Sequence, residues 1–199
     1  KRRPWIDWMH TAQDQGALIR DFSKWDAQPA SVGASYEALL RAKQIALTAP
    51  AGPTYVCFDV SLQETRIDAI PPLPDVSRYP VPSPAAPAQE ALARAADLLS
   101  SAVRPVILMG RVSRSSEAWR QRIELAEKLN AQVLTDLRAG AAFPTDHPLH
   151  AAVPGVFLTP DAARTLRAAD VVLSLDWYDL SGTLQQAWRN EDVDAKVIQ

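Results

Sequence analysis

Beyond Pro87 the chain alternates between two rhythms of apolar residues. Leu92, Ala96 and Leu99 share one face of a predicted helix over Pro87–Ser101, with Pro87 suited to its first turn. Val106 to Met109 is a continuous apolar run that stops at Gly110, the mark of a buried strand. Ser115 then caps a predicted helix carrying Trp119, Ile123 and Leu129 on one side, with Glu117 in its first turn. Gln132–Thr135 is a second strand. Thr159-Pro160-Asp161 combines a capping hydroxyl, a proline at the first helical position and an acid, and so starts a helix through Leu166. Asp170–Leu175 is a third strand, Asp179–Trp188 a short helix, and Lys196–Gln199 the beginning of another strand. Strands alternating with helices of this length imply an α/β fold, a parallel sheet with helices on both faces of the Rossmann-like kind.

Before Pro87 the pattern is sparser. Tyr36, Leu39, Leu40 and Leu47 line one face of a helix predicted over Ser31–Thr48, and Pro50-Ala51-Gly52-Pro53 breaks it. Thr54 to Val60 reads as a short buried strand. Helix, turn and strand make half of an α/β unit, a partial second domain. The segment Lys1–Trp25 holds Trp5, Trp8, Phe22 and Trp25, dense enough in aromatic residues to require burial. Between the two patterned regions lie Pro71, Pro72, Pro74, Pro80, Pro82, Pro84 and Pro87. Each fixes φ and removes a backbone donor, so this stretch is read as an extended linker. The expected division is residues 1–66, a proline-rich linker over 67–87, and a larger α/β domain over 88–199. The chain opens at Lys1 and stops at Val197-Ile198-Gln199 within a predicted strand, which reads as a piece of a longer protein.

Composition narrows the functional classes. Hydrophobic residues make up 47% and charged residues 22%, the balance of a globular protein. The formal net charge of −2, with no block of like charge, lacks the footprint of a nucleic-acid binder. The apolar runs are too short to span a membrane and no signal peptide is evident, so the expected location is cytoplasmic. Cys57 is the single cysteine, which excludes an internal disulfide and a cysteine metal site; its neighbours Tyr55, Val56 and Phe58 mark it as an inert core thiol.

Parallel sheets of this kind place ligands at the carboxyl ends of their strands. Here those ends are Gly110-Arg111-Val112-Ser113, Asp136 to Gly140 with Arg138 among them, and Asp176-Trp177-Tyr178-Asp179. Gly110, Arg111, Arg138, Asp176 and Trp177 are therefore the candidate nucleotide crevice. The full dinucleotide fingerprint is absent, because Val112 and Ser115 stand where it requires glycine, so a plain turn is the competing reading. His147 and His150 are three apart in the Phe143–His150 loop, but Pro148 lies between them and no third ligand is evident; no metal site is expected. His10 and Asp14 are four apart, a spacing open to a base with its orienting carboxylate or to a local packing bond.

Six segments in order resemble the acetolactate synthase large-subunit superfamily of thiamine-diphosphate enzymes: W-I-D-W-M-H-T-A-Q-D-Q-G from Trp5, S-K-W-D from Ser23, G-P-T-Y-V-C-F-D-V from Gly52, R-P-V-I-L-M-G from Arg104, F-P-T-D-H-P-L from Phe143 and A-A-D-V-V-L-S-L-D from Ala168. The resemblance implies that residues 1–66 end a pyrimidine-binding domain and that 88–199 are most of a central domain. It implies a parent that uses thiamine diphosphate and magnesium on a small 2-oxo acid, as a homodimer or homotetramer. The family's activating glutamate and its Gly-Asp-Gly motif are not in this sequence, so the fragment is expected to be inactive alone. Severed from its early strands, Lys1–Thr65 is expected to pair, swap or fray.

At the substrate pocket implied by the resemblance, His10 and Thr11 stand where acetolactate synthases carry Phe-Gln, which makes both pocket candidates and puts the acetolactate reaction in doubt. Val60, beside Asp59, stands at the lysine of the family's Pro-Lys-Asp motif. Some relatives bind FAD or ADP in the central domain through a Gly-x-Arg-Phe-Asp-Asp-Arg stretch. Here Trp177 and Ser181 replace its two arginines, so the resemblance implies no tightly bound flavin. The competing class is a freestanding nucleotide-binding α/β module without catalytic activity.

Overall fold

The computed structural model describes residues 12–189, 191 and 193–199. It divides into two compact units, residues 1–86 and 87–199.

In the first unit two parallel strands, β1 (Trp25–Ala27) and β2 (Thr54–Val56), pair in register, Trp25 against Thr54 and Ala27 against Val56. Helix α1 (Val32–Leu47) joins them; Ser31 caps it by accepting a hydrogen bond from the Ala34 N–H. Its other end is held by a lysine. Lys24 Nζ donates to the carbonyls of Ile45 at 2.8 Å and Thr48 at 2.7 Å, which places a cation where the helix carries unpaired oxygens and partial negative charge. The lysine stem runs over Gly52, where a Cβ would stand 2.9 Å from Lys24 Cδ. Lys24 and Gly52, both in segments that carry the resemblance, thus have one shared structural task. Replacing Lys24 with Met keeps the stem and removes the donors. The expected loss is about 1 kcal/mol, read as a lower midpoint in urea unfolding.

The strand expected over Thr54–Val60 is shorter. Asp59 accepts from the N–H and the hydroxyl of Ser61, and this cap turns residues Val60–Glu64 into a short helix, α2. The strand and the residues after it are half-buried, Cys57 included, so Cys57 is not the core thiol that its apolar neighbours suggested. Only two described strands make up this sheet, too few to enclose them. Residues 66–87 have no regular structure beyond a turn of 3-10 helix at Val76–Arg78, and most are exposed. Gln44 Nε2 ties this stretch to α1 through the carbonyl of Pro80 at 2.7 Å.

The second unit is a four-stranded parallel sheet in the order β4-β3-β5-β6, formed by β3 (Pro105–Met109), β4 (Gln132–Thr135), β5 (Val171–Leu175) and β6 (Lys196–Ile198). Successive side chains alternate between its faces. Val106, Leu108, Leu134 and Val172 pack under α5 (Pro160–Ala168) and α6 (Leu180–Trp188), meeting Leu166, Leu184 and Ala187. Ile107, Met109, Val133 and Leu173 face the other way, toward α3 (Gln89–Ser101) and α4 (Ser116–Leu129), with Leu99, Ile123 and Ala126 in the same cluster. The fold is the expected α/β one, with helices on both faces.

Pro105 opens β3, where a missing N–H costs no ladder bond. The chain just before it is held by Asp170, whose carboxylate accepts from the N–H groups of Val103 at 2.6 Å and Arg104 at 2.9 Å. Burial works against ionisation of Asp170, but these backbone bonds prevail and hold its carboxyl below the usual range.

Candidate crevice at the carboxyl edge of the central sheet

β3 lies between β4 and β5, so the chain passes to one side of it and then crosses to the other, which makes its carboxyl end a topological switch point. Three loops meet there. The first begins at Gly110. A Cβ at this position would overlap the Asp176 carbonyl oxygen and stand 2.7 Å from Trp177 Cα, so only glycine lets the β3 and β5 loops approach this closely. Two backbone bonds seal the approach, Gly110 N–H to Leu175 O and Arg111 N–H to Asp176 O, both 3.0 Å. The Val112 N–H returns to Gly110 O at 2.9 Å. Asp176 takes a left-handed backbone, φ 51°, which Asp tolerates better than most residues.

Side chains then pair across the edge. Arg111 Nη2 meets Asp176 Oδ1 at 2.8 Å. Arg138 grips Asp136 through two nitrogens, Nε to Oδ1 at 2.9 Å and Nη2 to Oδ2 at 2.8 Å, and the Asp136 carboxylate is almost wholly buried. Burial pushes the Asp136 carboxyl up, but the bonds from Arg138 outweigh it and leave the group below its ordinary value. Both guanidinium groups are held above theirs by the carboxylates they bind. Both also lie over one aromatic ring, that of Tyr178, at 5.0 Å for Arg111 and 4.8 Å for Arg138.

Beside this cluster a cleft of about 230 Å³ opens between the ends of β4 and β5, lined by Thr135, Asp136, Arg138, Trp177, Asp179 and Thr183 on the sheet side. Its other wall is the loop from Ala152 to Thr159, pinned where the Leu158 N–H donates to Gln186 Oε1 at 3.3 Å. Trp177 Nε1 donates to Thr183 Oγ1 at 2.8 Å, and Asp179 caps α6 by accepting from the Gly182 N–H at 2.9 Å. Of the sequence candidates, Arg138 and Trp177 line the cleft. Gly110, Arg111 and Asp176 are outside its lining and shape the edge next to it. His10 and Thr11 lie outside the described residues.

Sequence reasoning placed Asp136 and Tyr178 at the strand ends but not among the crevice candidates, and it missed the Ala152–Thr159 loop, which carries no local signal. It also missed a parallel extension at the outer side of β4: Val133 N–H donates to Leu149 O at 2.8 Å and Ala151 N–H to Val133 O at 2.9 Å. This extension accounts for the histidine pair. His150 Nε2 meets Thr135 Oγ1 at 3.0 Å, and burial lowers its pKa. His147 accepts the Leu149 N–H on Nδ1 and faces Glu127 at 3.4 Å through Nε2. Asp14 is likewise engaged, accepting the Ala17 N–H at 3.0 Å and the Arg20 guanidinium at 3.3 Å.

The first unit has a cavity of its own, about 590 Å³, at the carboxyl ends of β1 and β2. Gln28, Ser31, Asp59, Ser61 and Thr65 line it with Ile67. Val60 is exposed and lies outside that lining.

A Rossmann-like sheet with its crevice at the switch point, following a shorter parallel α/β unit, defines the class, and comparison with known proteins gives the family. Residues 92–199 match the model of the thiamine pyrophosphate enzyme central domain, and the chain belongs to that family. Among curated proteins it is similar to sulfoacetaldehyde acetyltransferase of Rhodobacter capsulatus, 36% identical over 165 residues, covering 81% of this chain and 26% of that protein. It is also similar to the acetolactate synthase large subunit of Corynebacterium glutamicum, 30% identical, covering 70% of this chain and 22% of the relative. Among solved structures, the thiamine diphosphate-dependent 4-hydroxybenzoylformate decarboxylase of Rhodococcus jostii superposes with a TM-score of 0.61 at 25% identity, covering 81% of this chain and 30% of that one. The chain thus spans about a quarter of the length of these curated relatives.

Two groups associated with the family can be tested against the residues present. Magnesium diphosphate needs a cluster of oxygen ligands. Among the described residues no group of three or more His, Cys, Asp and Glu is assembled for a metal. The acids at the crevice are committed elsewhere, Asp136 to Arg138 and Asp179 to the α6 cap. The described residues therefore do not fit that group. A nucleotide diphosphate would need free N–H groups or free cations at the switch point. As arranged here, the N–H groups of Gly110, Arg111 and Val112 and both arginines at this edge are paired within the chain, the former with carbonyls and the latter with carboxylates. Among the described residues no helix is long and apolar enough to cross a membrane.

Proposed function

We propose that this chain is an internal part of a thiamine-diphosphate enzyme that decarboxylates a small 2-oxo acid, with or without transfer of the resulting carbanion to an acceptor. The family match over 92–199 carries this reading, and the relatives named for acetolactate synthesis and 4-hydroxybenzoylformate decarboxylation support its substrate class. In it, residues 1–66 end the pyrimidine-binding domain, 67–87 link, and 88–199 form the central domain. Bound thiamine diphosphate supplies the electron sink, and magnesium anchors its diphosphate; both are held by parts of the protein other than the described residues. His10 and Thr11 are the substrate-pocket candidates of the working enzyme, which is a homodimer or homotetramer located in the cytoplasm. The central domain positions its neighbours and holds no tightly bound flavin.

An activity assay separates this reading from a freestanding nucleotide-binding module. The 199-residue chain, given thiamine diphosphate, magnesium and pyruvate or benzoylformate, is expected to release carbon dioxide at the background rate. The longer protein that contains it is expected to turn over one 2-oxo acid well above background. Turnover by the chain alone, or none by the longer protein with any 2-oxo acid, would overturn the proposal.

A further inference from the structure

Two guanidinium groups converge on the Tyr178 ring, and like charges do not gather without a reason. Arg111 and Arg138 lie 5.0 and 4.8 Å from its centroid, and each is bonded at 2.8 Å to a carboxylate, Asp176 or Asp136. The carboxylates neutralise the cations, and the electron-rich ring attracts both. These residues come from three loops, those that follow β3, β4 and β5. Backbone bonds already join the first loop to the third, through Gly110 and Arg111. The second is joined to the end of β3 by one backbone bond, Asp136 N–H to Met109 O at 3.3 Å, and beyond that bond it reaches the third loop through Arg138 on Tyr178. Arg138 also lines the cleft, so whatever fixes its guanidinium sets the shape of the cleft mouth.

We propose that Tyr178 is a clasp: by holding Arg111 and Arg138 on its ring it locks the β4 loop to the other two, ordering this edge with the chain's own side chains in place of a bound anion. The proposal rests on the reading above that the edge carries no tightly held nucleotide. Tyr178 is 44% exposed, so its removal leaves no cavity in the core and the fold survives substitution.

Hydrogen exchange followed by mass spectrometry on the full chain tests the clasp. Tyr178→Leu is expected to raise deuterium uptake several-fold in residues 136–142, while α3 remains as in the parent protein. Tyr178→Phe keeps the aromatic face and is expected to exchange like the parent. Unchanged uptake in the leucine variant would overturn the clasp, as would a phenylalanine variant as loose as the leucine one. A separate arm tests the underlying reading. ADP and inorganic pyrophosphate, titrated into the parent protein at up to millimolar concentration, are expected to leave its Tm unchanged. A saturable rise in Tm would overturn the nucleotide-free edge, whereas the exchange data alone judge the clasp.

Discussion

Replacing Gly110 with alanine is expected to destabilise the second unit by about 3 kcal/mol, near the upper end for overpacking a close contact. The added methyl would overlap the Asp176 carbonyl oxygen and crowd Trp177 Cα, and both of these are backbone atoms that cannot rotate aside. Relief requires the β3 and β5 loops to part, which breaks the hydrogen bonds from Gly110 and Arg111 to Leu175 and Asp176. The cost is steric alone, because no described glycine has a positive φ. Gly140→Ala is the matched control. A Cβ there meets nothing within 4 Å, so its effect should stay within about 0.5 kcal/mol of zero. Urea unfolding of the two variants measures both. Equal midpoints would mean that the close approach at Gly110 contributes nothing.

Asp170→Ala is expected to cost about 1.5–3 kcal/mol, the range for hydrogen bonds to a charged group. The loss falls on the amino end of the sheet, where Val103 and Arg104 lose their acceptor and β3 loses its anchor to β5. This contribution depends on pH in a definite direction. Burial tends to raise the Asp170 pKa, but the backbone bonds outweigh it and hold the folded carboxyl below the ordinary aspartate value. A depressed folded pKa stabilises the protein above the unfolded value, and the stabilisation is lost as pH falls through the folded one. The gap in stability between the parent and Asp170→Ala should therefore be constant at neutral pH and shrink progressively below about pH 4. A gap that widened in acid would show that Asp170 acts through something other than its carboxylate. At the opposite edge Asp136, also held low by its arginine, adds to the same acid-side loss.

The amino-acid pattern announced the second unit well. β3, α4, β4, α5, β5 and α6 begin and end within a residue or two of where apolar rhythm, caps and breakers put them, because each element carries its own local signal: Ser115 caps α4, Thr159 caps α5, and β3 is apolar throughout. The first unit was less legible. β1 has three residues and no pattern that distinguishes it from a turn, and the early end of β2 depends on a side-chain bond from Ser61 to Asp59. The helix over Val32–Leu47 was plain, but nothing local says that Lys24, over twenty positions from Ile45 and Thr48, closes its far end.

By itself the order of residues determined which segments are helix and strand in the larger unit, that its sheet is parallel, and that any ligand edge lies after Met109, Thr135 and Leu175. Those features follow from periodicity and end signals that act over a few positions. Only the tertiary structure decided which charges neutralise which, that Tyr178 collects two arginines, and that the Leu149–Ala151 segment extends the sheet beyond β4. These pairings join loops far apart along the chain. They exist because the strand order β4-β3-β5-β6 sets three carboxyl ends side by side, a juxtaposition that no local pattern encodes.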